Sequence, residues 1–139
     1  MVNLITGGNG KGKSKVLLEK VNSQVKEILG NIVYLDTSTK HMYELNNKIR
    51  LINAAEYNIT SGDMFIGFLL GILSGDHDLQ ELYFDNFLSL SHTTINDLEG
   101  IINQLEELSK TFGIDIYAAI STTDGDLPES LKDKVIEAL

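Results

Sequence analysis

The residues with the most specific chemistry lie near the amino end and read Gly7-Gly8-Asn9-Gly10-Lys11-Gly12-Lys13-Ser14. Glycines allow a loop to turn successive backbone N–H groups toward an anion, and they allow that anion to approach closely. A helix that begins near Lys13 adds unpaired N–H groups and the positive end of its dipole. The spacing G-x-x-x-x-G-K-S therefore predicts a phosphate-binding loop.

Two side chains of this loop have separate predicted roles. The Lys13 ammonium would reach the β and γ phosphates of a nucleotide, and the Ser14 hydroxyl would bind Mg²⁺. Lys11 and Lys15 add positive charge on either side of Lys13. We therefore expect residues 7–15 to bind the phosphates of one nucleotide.

Two aspartates end apolar segments that are typical of buried strands. Asp85 follows the segment 82–84, and Asp36 follows the segment 32–35. Functional groups gather at the carboxyl ends of parallel strands, so Asp85 is predicted to hold Mg²⁺ beside the loop, through water. Asp36 is the rival candidate for that role, and capping of the next segment is its alternative role. Lys13, Asp85 and Asp36 are thus the candidate catalytic residues.

Composition limits the classes of function. The chain has 139 residues, 42% of them hydrophobic, which predicts a single domain over 1–139. A net charge of −9, with Arg50 as the only arginine, makes nucleic acid an unexpected partner. The sequence has no cysteine and no signal-type segment, and the apolar segment 64–73 is too short to span a bilayer, so we expect a cytoplasmic protein without membrane contact. His41, His77 and His92 lack metal-ligand spacing and are expected to be surface residues.

Hydrophobic periodicity predicts alternating strands and helices. The predicted strands are 1–5, 32–35, 50–54, 81–87 and 114–120; the predicted helices are 13–29, 40–47, 64–73, 95–112 and one that starts at Pro128. Such alternation requires crossover connections, so we expect an α/β fold: a three-layer αβα sandwich with a mainly parallel five-stranded sheet. The helix 64–73 is apolar on every face and should be covered by the sheet or by a second copy of the chain.

The loop, the strand ending in Asp36, the strand ending in Asp85 and the polar segment after Ile120 resemble the P-loop NTPases, and among them the RecA-like core of recombinases and hexameric helicases. The resemblance implies that the chain binds ATP and Mg²⁺ through Lys13, Ser14 and Asp85. It also implies that Ser121 and Thr122 lie near the γ phosphate as sensors. The choice of adenine rests on the resemblance alone.

Two positions depart from the pattern of family members that hydrolyse rapidly. Ser38 and Asn86 stand where those members carry a glutamate that polarises water, and neither side chain accepts a proton as a carboxylate does. Asp36 and Glu56 are the substitutes for that glutamate. The sequence thus predicts a slow or partner-dependent Mg-dependent ATPase that binds a nucleoside triphosphate and has a protein partner or a second copy as neighbour.

Two other functions remain open. One is an interaction module that binds ATP without hydrolysing it. The other is a small-molecule kinase, because residues 4–8 and Gly12-Lys13-Ser14 are similar to the start of adenosylcobinamide kinases.

Overall fold

The computed structural model of the protein describes residues 1–123 and 125–139. Along the chain it contains β1 (Val2–Gly7), α1 (Lys13–Gln24), β2 (Asn31–Asp36), β3 (Arg50–Asn53), α2 (Gly62–Ser74), β4 (Leu79–Phe84), α3 (Phe87–Ser91), α4 (Leu98–Phe112), β5 (Asp115–Ser121) and β6 (Val135–Ala138). Short 3₁₀ helices occupy Met42–Glu44, Ala54–Tyr57, Ile95–Asp97 and Glu129–Lys134. Within the described residues the strands form one parallel sheet in the order β3-β2-β4-β5-β1-β6.

Both faces of the sheet are apolar because alternate residues of each central strand point to opposite sides. In β4, Tyr83 joins a cluster with Leu17 and Val21 of α1. Its neighbours Leu82 and Phe84 join a second cluster, which includes residues of α2, α3 and α4. Helices therefore cover both faces of the sheet. The polar carboxyl ends of the strands lie at one edge, where a functional site can form.

The predicted strand count of five is wrong, because the described residues form six strands. All five predicted strands are present, and β6 is the addition. The region after Pro128 was predicted as a helix, but the 3₁₀ helix Glu129–Lys134 is followed there by β6. β6 pairs with β1, and the Leu139 amide donates to the Thr6 carbonyl oxygen at 2.9 Å. The strand forms because it pairs the backbone groups that β1 would otherwise leave free at the edge of the sheet.

Three further predicted elements are shorter than expected. α1 ends at Gln24 rather than at residue 29, and the chain then turns through Gly30, where a Cβ atom would lie 2.3 Å from the Asp78 carbonyl oxygen. This close approach requires a glycine. The predicted strand 81–87 ends at Phe84, since Asn86 has φ of 57° and turns the chain into α3. The predicted helix 40–47 is only the 3₁₀ helix Met42–Glu44.

The long helix α4 ends where it was predicted to end, whereas the first predicted turn, Ile95–Asp97, is a 3₁₀ helix. A capping box between Thr94 and Asp97 precedes it, and Gly113 ends it with φ of 65°. The glycine takes the left-handed conformation that a helix end of this type needs.

Helix α2 is less covered than its composition suggests. Its buried residues are Phe65, Leu69 and Leu73, whereas Met64 and Leu70 are 46% and 42% exposed. The chain itself therefore covers one side of α2, and cover of the exposed side by a second copy stays a prediction. None of the helices in residues 1–123 and 125–139 has the length and apolarity needed to cross a membrane. Cytoplasmic residence and the single-domain organisation stay predictions.

Candidate functional site

The glycine-rich segment forms an open loop between the buried strand β1 and helix α1. Gly10 and Gly12 have φ of 77° and 94°, a region that side-chain-bearing residues rarely adopt. Gly12 occupies the N-cap position of α1. Since glycine offers no capping side chain, the first amides of the helix remain available to an external acceptor. The loop thus leaves helical amides without a side-chain cap at the start of a twelve-residue helix, a geometry that suits an anion.

The Lys13 side chain folds back over this loop. It is 8% exposed, and its Nζ donates to the Gly8 carbonyl oxygen at 2.9 Å. Burial lowers the pKa of Lys13 below its usual value, and the nearby Asp85 carboxylate partly offsets that effect. The ammonium therefore stands inside the loop, where it is held by a single carbonyl oxygen that a phosphate can replace.

Ser14 and Asp85 meet although the strands that precede them, β1 and β4, are not neighbours. β5 lies between these strands, yet Ser14, in the first turn of α1, donates from its Oγ to Asp85 Oδ1 at 2.9 Å. Two ligands at adjacent corners of a magnesium octahedron, with bonds of about 2.1 Å, stand about 3 Å apart. The pair thus fits the spacing that Mg²⁺ needs, and these two residues are the ones that would hold it.

A buried tyrosine fixes the Asp85 carboxylate from the other side. Tyr34 lies in β2 beside β4, and its hydroxyl donates to Asp85 Oδ2 at 2.9 Å. Burial is the main cause that raises the pKa of Tyr34 well above its ordinary value, and the negative charge of Asp85 is the second cause. The hydroxyl therefore stays protonated and acts as a permanent donor. Tyr34 is not among the predicted site residues, although its position two residues before Asp36 on a buried strand was the available signal.

Asp36 extends the same edge of the sheet. Its Oδ1 accepts the Thr37 amide at 2.7 Å, and its buried Oδ2 has no hydrogen-bond partner among the residues that the structure describes. Burial is the main cause that raises the pKa of Asp36, and the negative charge of Asp85 is the second cause. Asp36 therefore belongs to the site, and it bonds the first amide of the segment after β2 rather than the start of the 3₁₀ helix Met42–Glu44.

His41 also belongs to this site, so the expectation that it is a surface histidine is wrong. Its side chain is 19% exposed, and its Nε2 lies 3.9 Å from Asp85 Oδ2. Ligand atoms of Asp36, His41 and Asp85 all lie within 4.8 Å of one another. The sequence signal was its position five residues after Asp36, in the segment that leaves the carboxyl end of β2.

A cavity of about 460 Å³ joins these groups. Its lining includes Gly10, Gly12, Lys13, Ser14, Asp36, Lys40, His41, Asp85, Asn86 and Ser121. Most of the predicted site residues are therefore brought together. Lys11 and Lys15 are exposed and lie outside this lining, as do the buried Gly7 and the half-buried Gly8. Asn9 lines both this cavity and a neighbouring one on the side of α4.

The other predicted residues divide between the two cavities and the surface. Ser121 reaches the main cavity, whereas Thr122 lines the neighbouring one. Glu56 and Arg50 are exposed, on a 3₁₀ helix and on the edge strand β3, and neither lines the main cavity. Asp36 is therefore better placed than Glu56 to substitute for the absent glutamate.

Comparison with known proteins informs the fold only. The chain matches no model of a protein family and no curated protein sequence. Among solved structures it is similar to the flagellar accessory protein FlaH from Methanocaldococcus jannaschii, with a TM-score of 0.55 and 16% sequence identity. The match covers 93% of this chain and 63% of the FlaH chain, so this chain spans only part of that protein's length. The likeness supports a RecA-like α/β fold, and the six strands among the described residues are all parallel.

Proposed function

We propose that the chain binds ATP together with Mg²⁺ and hydrolyses it slowly or with the help of a partner. The observation that carries the proposal is the convergence of Lys13, Ser14 and Asp85 on one cavity beside a loop with free helical amides. The RecA-like fold supports a protein of the P-loop NTPase type in a general way.

Each group has a physical role in the proposed binding. Loop amides and the amino end of α1 bind the β and γ phosphates, because the positive ends of their dipoles point toward the negative phosphates. Lys13 exchanges its bond to the Gly8 carbonyl oxygen for a bond to a phosphate. Ser14 and Asp85 hold Mg²⁺, which neutralises part of the phosphate charge when bound.

The residues around the cavity favour slow hydrolysis. Asn86 follows Asp85 and lines the cavity, but its amide cannot take a proton from an attacking water. Besides Asp85, Asp36 is the acidic residue in the described lining of this cavity. In this proposal Asp36 therefore orients the attacking water. A neighbouring protein or a second copy supplies the catalytic group that Asn86 cannot provide. The exposed apolar residues Met64 and Leu70 of α2 favour such a neighbour.

A groove of about 690 Å³ keeps the kinase alternative open. It runs between α1 and the 3₁₀ helix Met42–Glu44, and its lining includes Lys15, Asn22 and His41. Since His41 lines both this groove and the phosphate cavity, an acceptor bound in the groove would lie close to the γ phosphate. An acceptor that accelerates ATP consumption and becomes phosphorylated would decide for this alternative.

Thermal unfolding and phosphate release together test the proposal. ATP with Mg²⁺ at about 100 times its dissociation constant should add about 2.7 kcal/mol to the free energy of unfolding. Lys13→Ala should remove this stabilisation, whereas Lys15→Ala, outside the cavity, should retain most of it. Slow phosphate release that Lys13→Ala abolishes supports an ATPase. Stabilisation without phosphate release, also with added partner, favours the non-hydrolysing module, and no stabilisation by any nucleoside triphosphate contradicts the proposal.

A further inference from the structure

Three potential metal ligands converge beside the phosphate loop, and two of them are not part of the proposed magnesium pair. One ligand atom each from Asp36, His41 and Asp85 lies within 4.8 Å of the others. His41 Nε2 and Asp85 Oδ2 are 3.9 Å apart. With metal–ligand bonds of about 2.1 Å, ligands in an octahedron stand between about 3.0 and 4.2 Å apart. The His41–Asp85 separation falls within this range, and side-chain shifts would bring the third ligand onto the same ion.

The Asp36 carboxylate gives an independent indication of a cation. The residue is 3% exposed, and its Oδ2 has no hydrogen-bond partner within residues 1–123 and 125–139. A buried carboxylate oxygen without a donor is costly, because burial removes its hydration and nothing replaces it. Since Asp36 lines the cavity and supplies an oxygen to the cluster, a cation bound there would satisfy it.

Glu44 fixes the orientation of the His41 ring. The Glu44 carboxylate bonds to His41 Nδ1, so this nitrogen carries the proton. In the neutral ring Nε2 is then left with a lone pair, and this nitrogen lies 3.9 Å from Asp85 Oδ2. A carboxylate on one ring nitrogen and a metal ion on the other is the common arrangement around metal-binding histidines.

We propose that Asp36, His41 and Asp85 bind a divalent first-row transition-metal ion such as Mn²⁺ or Zn²⁺. An imidazole nitrogen favours these ions over Mg²⁺, which prefers oxygen ligands and keeps its water. Asp85 Oδ2 can join the site while it accepts the Tyr34 hydroxyl, because a carboxylate oxygen has two lone pairs. The site adjoins the proposed Ser14–Asp85 magnesium pair and binds its ion without nucleotide.

The rival explanation is that a protein cation satisfies the carboxylates. His41 itself, if doubly protonated, or Lys40, which lines the same cavity, would do so. In that case the cluster has no need of an ion, and a transition metal would find no imidazole lone pair.

Titration of the nucleotide-free protein with Mn²⁺ tests the inference, with free Mn²⁺ measured by electron paramagnetic resonance. His41→Ala should weaken Mn²⁺ binding by about tenfold or more, the size of effect seen even for outer partners at metal sites. His77→Ala removes an exposed histidine and should leave binding unchanged. Zn²⁺ should displace Mn²⁺, and an equal concentration of Mg²⁺ should not. Equal Mn²⁺ binding by the wild type and His41→Ala would overturn the inference.

A second measurement does not depend on any variant. Electron spin-echo spectra of the Mn²⁺-loaded wild type should contain a coupling to an imidazole nitrogen, and spectra without that coupling would overturn the inference as well. Failure of the metal site is distinguishable from failure of the proposed function. Lys13→Ala should lose ATP yet still bind Mn²⁺, and a wild type that binds ATP with Mg²⁺ but gives no imidazole coupling with Mn²⁺ would refute the metal site alone.

Discussion

Two buried tyrosines provide a matched pair of variants for the site. Tyr34 and Tyr83 are both fully buried, and their rings stack at 6.3 Å between centroids. Each hydroxyl donates to a buried carboxylate: Tyr34 to Asp85 at 2.9 Å, and Tyr83 to Glu81 at 2.8 Å. Only the first of these carboxylates lines the candidate site. Phenylalanine at either position keeps the ring and removes the donor.

The two variants should lose similar stability and differ in ligand binding. A hydrogen bond to a charged group contributes about 1.5–3 kcal/mol, so each replacement should lower the free energy of unfolding by about that amount. Tyr34→Phe also releases Asp85 from its fixed orientation beside Ser14. Loss of such an outer partner weakens metal binding about 10- to 100-fold, or by about 1.4–2.7 kcal/mol.

Urea unfolding and calorimetric titration separate the two effects. Tyr34→Phe should weaken the binding of ATP with Mg²⁺ by about tenfold or more and leave the affinity for ATP in a metal chelator nearly unchanged. Tyr83→Phe should keep wild-type affinity under both conditions while it loses comparable stability. If the two variants bind ATP with Mg²⁺ equally well, Tyr34 does not position Asp85 and the reasoning about this carboxylate is wrong.

Variants at two glycines and one ion pair extend the tests beyond the tyrosines. Gly12→Ala should lower the free energy of unfolding in urea by about 1–2 kcal/mol, because φ of 94° disfavours a side chain. Gly67→Ala lies at an exposed position inside α2 with open space around it, and it should raise the free energy of unfolding by about 0.5–1 kcal/mol. Equal effects of the two substitutions would refute this conformational argument. Burial raises the pKa of Glu106, but hydrogen bonds from Lys134 and the Val2 amide outweigh it and leave the pKa below its ordinary value. The carboxylate therefore stabilises the fold fully above the ordinary pKa of about 4.3 and loses this effect as pH falls through the lowered pKa. Unfolding of Glu106→Gln should thus differ from wild type near neutral pH and approach it in acid, and a difference independent of pH would contradict the assignment.

Local patterns were sufficient to predict the loop and its flanking elements. The segment from Gly7 to Ser14 carries its conformational requirements in its own residues, because the glycines permit positive φ and the helix after them is amphipathic. Asp85 was likewise predictable as the end of an apolar strand. Ser14 Oγ and Asp85 Oδ1 can approach to 2.9 Å because the parallel strands β1 and β4 both end at the same edge of the sheet.

The parts that were missed depend on partners distant in sequence. β6 has only four residues after a segment that favours a helix, and it becomes a strand because β1 lies beside it. His41 looks isolated along the chain, and only the pairing of β2 with β4 brings it to Asp85. The exposed side of α2 could not be predicted from composition, since an apolar helix can be covered by the same chain or by another one.

Calorimetric titration with ATP and Mg²⁺ tests the central claim most directly. The wild type should bind one ATP per chain, Lys11→Ala should retain the site because Lys11 lies outside the cavity lining, and Lys13→Ala should lose it. Binding heat that is absent from the wild type, or that is equal in the wild type and Lys13→Ala, would contradict the claim that this loop holds a nucleotide.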